Sequence, residues 1–345
     1  MSDLRRRTAL GMLGTGMAFL AGCSNTSDGT GPDDDGDSSG SDGLIDGDLP
    51  SYASMLPTTE RSSYFYGAID VETMNTLLQD EGAESGQEPT DPLVGNPVVV
   101  ALLAAFGLQL LGSSAGFEAY TGNNVTADGE EQFVYADGVY ALVGSYDRDA
   151  LTADLENEGY TLESEGDAYA VYAAGGSDQI VGVTDNVFAY SYPNGSDSTF
   201  DPTAAVERTV ATAAGDRRPK YEADDGFERL LRAGENGGIT CCLYTTDDQF
   251  ASETLSNDQA SDSEGLQFAF DAFEGARGVH QQLGVSGSNT ATANAVVTYS
   301  GEDLVDQSRL ESSLGGDADA DTLVFERDGS TISIDAEYGG SFATE

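Results

Sequence analysis

One local pattern recurs four times along this chain: an apolar strand, an aspartate or a turn, and a short amphipathic helix that ends at glycine. The copies begin at residues 64, 139, 187 and 295. In the second copy, Asp147 stands where a helix-capping side chain is needed, and in the third Asp201 is followed by Pro202, which suits the first helical position. With the strand-like runs between the copies, the order of elements is βαββαβ, twice.

This order predicts an α+β chain made of two tandem ferredoxin-like (βαββαβ) domains, each an antiparallel sheet covered by helices on one face. The first domain is expected over residues 51–176 and the second over residues 177–345. A sheet covered on one face should have strands that alternate between apolar and polar residues. The segments "AYAVYAA" and "STISIDAEY" show that alternation.

The first 22 residues have the features of an export signal peptide. Arg6 and Arg7, followed by one residue and then Ala9-Leu10, resemble the twin-arginine export motif. The apolar run 9–21 is shorter than the roughly 20 residues that span a bilayer. Leu20-Ala21-Gly22-Cys23 is similar to the lipobox, in which the cysteine thiol becomes the lipid attachment point. Cys23 is therefore predicted to be the lipidated N-terminus of the mature protein.

Residues 23–50 are predicted to form a disordered acidic tether. The stretch "SNTSDGTGPDDDGDSSGSDG" contains no aliphatic or aromatic residue. Such a segment cannot bury enough apolar surface to offset the entropy of ordering itself. The folded part is expected to begin near Tyr52.

The chain carries 61 acidic residues against 14 arginines and lysines, and Lys220 is its one lysine. This excess of like charge destabilises a compact state in dilute buffer, whereas molar salt shortens the Debye length to about 3 Å and screens it. With the N-terminal motifs, the composition resembles an uncharacterised family of haloarchaeal cell-surface lipoproteins exported by the twin-arginine route. That resemblance implies an extracellular, lipid-anchored location and carries over no catalytic residue. Nucleic acid is excluded as a partner because the chain has no basic stripe.

An apolar segment, Val98–Leu111, is predicted to be a fully buried core helix entered at Pro97. Its 14 residues would reach about 21 Å, less than the roughly 30 Å of the hydrocarbon core of a membrane. The alternative is an interfacial or partner-binding helix.

Few residues offer chemistry. His280 is the one histidine, which excludes metal sites built from several histidines. A Ser/His/Asp triad needs one histidine, but no "GxSxG" string occurs. Cys241 and Cys242 are adjacent in a predicted strand, so their side chains should point to opposite faces as core thiols, with a vicinal disulfide as the alternative. We therefore expect no catalytic residues and no cofactor.

Four aspartates are candidate calcium ligands: Asp317, Asp319, Asp321 and Asp328 occupy positions 1, 3, 5 and 12 of a possible loop. An EF-hand loop needs glycine at position 6 and usually glutamate at position 12, and here these are Thr322 and an aspartate. A second acidic string, residues 35–46, lies in the tether. N-glycosylation sequons begin at Asn25, Asn124 and Asn194.

These observations predict a lipid-anchored extracellular protein of a halophile with a non-catalytic binding or structural role. Its expected partner is membrane lipid through Cys23, and a small-molecule or envelope-protein partner stays open. The alternative is a solute-binding or accessory lipoprotein that uses a cleft between its two domains. A third hypothesis, a hydrolase, requires His280 to lie in a cleft beside a serine.

Overall fold

The structure, a computed structural model, describes residues 47–71, 73–74, 91–127, 130–193, 198–255, 268–285, 290–314 and 320–339. The predicted signal peptide and most of the predicted tether lie outside these residues. Within them, the helices with defined bounds are α1 (Pro92–Gly112), α2 (Gly116–Asn123), α3 (Arg148–Asn157), α4 (Pro202–Ala213), α5 (Lys220–Ala223), α6 (Asp225–Ala233), α7 (Ser252–Leu255) and α8 (Gln307–Leu314). Short 3₁₀ helices lie at Ser51–Met55, Asp271–Phe273 and Glu302–Leu304.

The described strands form one large antiparallel sheet. They are β1 (Ser63–Asp70), β2 (Gln132–Ala136), β3 (Val139–Val143), β4 (Tyr160–Glu165), β5 (Ala170–Ala174), β6 (Ile180–Val183), β7 (Val187–Ser191), β8 (Ile239–Thr245), β9 (Gly278–Val285), β10 (Thr290–Thr298), β11 (Thr322–Asp328) and β12 (Thr331–Gly339). Their order across the sheet is β11-β12-β10-β9-β8-β1-β2-β3-β7-β6-β5-β4. The predicted α+β class with antiparallel strands is confirmed.

The two halves of the sheet repeat one arrangement. A first strand (β1 or β8) pairs with a hairpin (β2-β3 or β9-β10), and a helix (α3 or α8) follows the hairpin. The chain then returns so that the last strand of the half, β7 or β12, pairs with the second strand of the hairpin. The halves join where β1 pairs antiparallel with β8, with Tyr66 opposite Cys242.

The finer prediction of tandem ferredoxin-like domains is not confirmed. A split βαβ unit places its first strand parallel to the strand reached by the crossover helix. Here β1 pairs antiparallel with both of its neighbours, β2 and β8. The expected boundary at residues 176/177 falls between β5 and β6, which pair through Ala173 and Ile180. The α+β class was predicted, but the order of the elements and their pairing were not: two described helices, α1 and α2, lie between β1 and β2, and four described strands follow α3 before α4 begins.

Helices cover both faces of the sheet, so the prediction of one covered face is wrong. We call the face that packs against α1, α3 and α8 the first face, and the face that packs against α4 and α6 the second face. Adjacent strand residues alternate between the two clusters. Cys241 belongs to the first face and Cys242 to the second, and both are free thiols, which confirms the predicted placement.

A strand is buried on both sides only where helices cover both faces of the sheet. In β5, Val171 packs on the second face and Tyr172 on the first, and both are buried, so the alternation predicted there is wrong. In β12, Ile332 and Ile334 are buried while Asp335 is exposed, so the predicted alternation is confirmed. The difference arises because α4 packs against β5 but no described helix covers the second face at β12.

The residues predicted to cap the N-termini of α3 and α4 do so in the structure. The Asp147 carboxylate accepts a hydrogen bond from the Ala150 N–H (3.2 Å) at the start of α3. The Asp201 carboxylate accepts from the Thr203 N–H (3.0 Å), and Pro202 is the first residue of α4. Each side chain satisfies a backbone donor that has no partner within the helix.

Candidate functional site

The residues predicted to place the protein at the membrane lie outside the described part of the chain. They are Cys23, Arg6 and Arg7. The described chain begins at Gly47, whose carbonyl oxygen accepts a hydrogen bond from the Arg232 guanidinium (3.1 Å). Tyr52 is 3% exposed, as expected for the start of the folded part.

The predicted calcium loop is not formed. Asp321 precedes β11 and Asp328 ends it, and both are exposed. Seven residues of extended strand place their α-carbons about 23 Å apart, so they cannot bind one ion. Asp317 and Asp319 lie outside the described residues. Among the described residues, no group of three or more histidine, cysteine or acidic side chains is placed to hold a metal.

His280 lies in the core of the second face and not in a cleft. It is 1% exposed in β9, paired with Cys242 and Val296 of the neighbouring strands. Burial lowers the pKa of the imidazole to about 4, so the ring is neutral at neutral pH. Its Nε2 atom has no hydrogen-bond partner among the described residues. Because substrate cannot reach it, the hydrolase hypothesis loses the group on which it depends.

A glycine allows this burial. Gly234 follows α6, and a Cβ atom there would meet the imidazole ring of His280 at Nδ1. Such a contact is far below van der Waals distance, so a side chain at position 234 would displace the ring.

The single lysine is buried in an aromatic cage on the second face. The Lys220 Nζ atom lies 5.2 Å from the centroids of the Tyr64, Phe227 and Tyr244 rings. It also lies 3.6 Å from the Asp224 carboxylate. Lysines are almost never fully buried without such partners. The cage therefore holds a cation that belongs to the protein itself.

Asp224 connects this cage to the backbone. Its Oδ1 accepts hydrogen bonds from the Tyr244 hydroxyl (2.8 Å) and from the Gly226 N–H (3.1 Å) at the start of α6. Burial lowers the pKa of Lys220, and Asp224 opposes that shift. Neither of the two described cavities is lined by Lys220 or Asp224. The arrangement stabilises the fold.

A shallow polar groove lies between the 3₁₀ helix Ser51–Met55 and the ends of β3 and β7. Its volume is about 250 Å³. It is lined by Ser51, Ser54, Met55, Thr126, Glu130, Val143, Gly144, Ser145, Asn186, Val187 and Ala213. These residues come from both sides of the predicted boundary at 176/177. Hydroxyl and amide groups with one carboxylate can hold a small polar solute, but this volume is below the roughly 300 to 1,000 Å³ of most ligand pockets.

Glu131 forms a hydrogen-bonded cluster on the first face. Its Oε1 accepts from the Tyr120 hydroxyl (2.9 Å), the Tyr146 hydroxyl (3.0 Å) and the Asn124 amide (2.9 Å). Burial raises the pKa of this carboxyl group, while the three donors oppose the shift. The Asn124 amide nitrogen is therefore already engaged inside the protein, although Asn124 begins a predicted glycosylation sequon.

Helix α1 is longer and more exposed than predicted. It begins at Pro92 and not at Pro97, because Asp91 caps it by accepting a hydrogen bond from the Leu93 N–H (2.9 Å). This Asp-Pro start is the signal that correctly located α4, and it was available in the sequence here. The 21 residues extend about 31 Å, so the argument from insufficient length does not hold. Among the described helices, α1 is the one long and apolar enough to cross a membrane.

The outer face of α1 is apolar except for Gln109, and its side chains are half-buried or exposed. We define it as the residues at helical spacing that point away from the sheet: Leu102, Ala105, Phe106, Gln109 and Leu110. Phe106 is 50% exposed and is the one exposed aromatic side chain among the described residues. The opposite side of the helix is buried on the first face through Val100, Ala104 and Leu111. The prediction of a fully buried helix is therefore wrong.

Comparisons with known proteins yield only distant structural likeness. No protein-family model and no curated protein matches the chain. The chain is similar to crystal form I of TP0453, with 11% identity over 84% of this chain and 93% of that chain and a TM-score of 0.38. Crystal form III of TP0453 gives 10% identity over 83% and 93%, with a TM-score of 0.37. A likeness at this level carries no conclusion about function.

Proposed function

We propose that this protein is a lipid-anchored surface protein of a halophile, exported by the twin-arginine route and held at the outer face of the cytoplasmic membrane through Cys23. Its body has a non-catalytic binding or structural role, as in the haloarchaeal lipoprotein family that the sequence resembles. The observation that carries the proposal is Leu20-Ala21-Gly22-Cys23, placed after Arg6-Arg7 and a short apolar run.

The attachment of the chain to its body supports this proposal. Described contacts begin at Gly47 and Asp48, whose carbonyl oxygens accept hydrogen bonds from Arg232 and Asn236. The 24 peptide steps from Cys23 to Gly47 extend at most about 80 Å. A lipid on Cys23 would thus hold the folded body close to the bilayer without restricting its orientation.

The distribution of cations supports adaptation to high salt. The one lysine is 5% exposed and the one histidine 1% exposed, so neither contributes charge to the described surface. Acidic repulsion at that surface needs molar salt for screening. On dilution from about 3 M KCl to about 0.1 M, we expect far-ultraviolet circular dichroism to show loss of folded structure. Unchanged spectra would contradict the halophile proposal.

The anchor is tested on Cys23 itself. In a haloarchaeal host, the wild-type N-terminal peptide should carry a lipid mass on Cys23, and the protein should pellet with membranes. Cys23→Ser should release it into the medium, whereas the matched change Ser24→Ala should leave it in the pellet. Replacing both Arg6 and Arg7 by lysine keeps the charge but should retain the precursor inside the cell. An unmodified Cys23 peptide in the wild type would refute the anchor.

The groove supports a second candidate function, capture of a small polar solute. Serine, threonine and asparagine side chains converge on it from three parts of the chain. The test is thermal unfolding at high salt with single monosaccharides and amino acids, in the wild type and in Ser54→Tyr, which fills the groove. A stabilisation seen in the wild type and lost in Ser54→Tyr is expected for solute capture. Equal melting temperatures with every probe would leave the structural role.

A further inference from the structure

We infer that the outer face of α1 is a membrane-contact surface, through which the folded body rests on the lipid bilayer. The inference deepens the proposed function and rests on it, since the lipid on Cys23 is what would keep the body near the membrane. The contact is interfacial: α1 stays packed on the sheet and presents Leu102, Phe106 and Leu110 to the lipid.

The absence of charge from this part of the chain is the first observation. Residues 92–117 contain no Asp, Glu, Lys or Arg. At 22% charged residues, a run of 26 would on average carry about six. A lipid surface can therefore contact α1 without burying a carboxylate, which would be costly.

The exposure of apolar side chains is the second observation. Phe106 is half exposed in the middle of the outer face, and Leu102 and Leu110 flank it one helical turn away on either side. Interfacial helices carry Trp, Phe and Leu on the face that contacts lipid. The opposite side of α1 packs on the sheet through Val100 and Ala104, so the outer face stays on the surface of the protein.

The length of the tether selects lipid over another partner. Because Cys23 and Gly47 are 24 residues apart, the body never moves more than about 80 Å from the bilayer that would hold Cys23. At that distance the effective concentration of lipid surface is permanently high, so a weak apolar contact is sufficient. A second anchored copy would first have to meet this one by diffusion in the membrane, whereas the bilayer surface is always within reach.

Charge predicts an unusual dependence on salt. The net charge of −47 repels anionic headgroups, and salt screens that repulsion. Binding through α1 should therefore strengthen as salt rises, whereas basic amphipathic helices lose affinity with salt.

The first experiment uses the lack of tryptophan in this chain. In the mature chain with Cys23→Ser, which carries no lipid, Phe106→Trp introduces a single reporter on the outer face. With phosphatidylcholine vesicles in about 3 M KCl, its emission should shift to the blue and be quenched by brominated lipid. Leu304→Trp, at a residue 43% exposed on a 3₁₀ helix far along the chain, is the matched control and should not respond. No response at position 106 would overturn the inference.

The second experiment removes the contact. In vesicle flotation, Phe106→Glu should lower the bound fraction by about tenfold or more, because an apolar ring is lost and a charge is added. Leu304→Glu should bind as the unsubstituted chain does. If instead the emission of the Phe106→Trp variant shifts to the blue without vesicles while light scattering shows a dimer, the outer face is an interface between copies and the inference is wrong. Both assays use unlipidated protein, so they are independent of the mass measurement that tests Cys23.

Discussion

The two faces of the sheet bury their ionisable groups in different ways. On the first face, Asp91 and Glu131 are carboxylates surrounded by neutral donors: the Tyr338 hydroxyl (2.5 Å) for Asp91, and two tyrosines with one asparagine for Glu131. On the second face, Lys220 is a base surrounded by three aromatic rings, and His280 is a neutral base that contacts the Tyr66 ring, with centroids 6.4 Å apart. In a chain with few cations, a carboxylate is buried most readily against hydroxyl and amide donors, and the rare cation against ring faces and one carboxylate.

The largest expected effect tests the second face. Lys220→Met removes the cation from its cage and leaves Asp224, whose side chain is 17% exposed, without its partner. We expect a loss of about 3 to 5 kcal/mol in the free energy of unfolding, measured by urea unfolding at high salt. Adding Asp224→Asn, which can still cap α6, should recover part of that loss. A cost below about 1 kcal/mol for the single change would show that the cage is not a stabilising pair.

Lowering the pH should have opposite effects on the stability contributed by the buried ionisable groups of the two faces. The pKa of His280 is lowered from 6.5 to about 4, so the unfolded chain binds the proton more tightly. The contribution of neutral His280 to the free energy of unfolding is complete above pH 6.5. It falls by about 3 kcal/mol as the pH drops from 6.5 to 4. The raised pKa values of Asp91 and Glu131 act in the opposite direction, since folding favours their protonated forms.

His280→Leu isolates these opposing contributions. It should abolish the loss of stability between pH 6.5 and 4 and leave the contribution of the first-face carboxyl groups. The measurement is the free energy of unfolding across that range at constant salt. The same pH dependence in wild type and variant would mean that the imidazole is not buried in its neutral form.

A matched pair of glycines compares helix packing on the two faces. A Cβ at Gly67 would lie 2.6 Å from Val100 of α1, and one at Gly182 would lie 2.6 Å from Val206 of α4. Each change to alanine should cost about 1 to 3 kcal/mol, because the helix must move away from the strand. Thermal unfolding of the two variants should give similar shifts. A cost at Gly182 alone would indicate that α1 is held more loosely than α4.

The smallest effect is expected at Phe106. Because its ring is half exposed, Phe106→Glu should change the free energy of unfolding by less than about 0.5 kcal/mol. The same variant should lose vesicle binding, so stability and lipid contact separate at one position. A loss above about 2 kcal/mol would place the ring in the core, and its removal would then test packing and not docking.

Much of the local structure was predictable from the sequence. Asp147 and Asp201 were expected to start helices, and Cys241 and Cys242 to face opposite ways. The early start of α1 was missed although Asp91-Pro92 repeats the pattern of Asp201-Pro202. One signal for the cage was present in the sequence, namely that Lys220 is the only lysine. The cage itself was missed because the partners of Lys220 lie 4 to 156 residues away in the chain.

The sequence by itself determined the α+β class and individual elements such as α3 and α4, because capping and side-chain periodicity act between residues a few positions apart. The tertiary structure alone decided which strands pair, which faces are covered and which side of α1 stays accessible. Tyr66 of β1 lies between Ala136 and Cys242, partners 70 and 176 residues away. Such pairings are selected by the apolar surface that the whole sheet buries on both faces, and no local pattern contains that information.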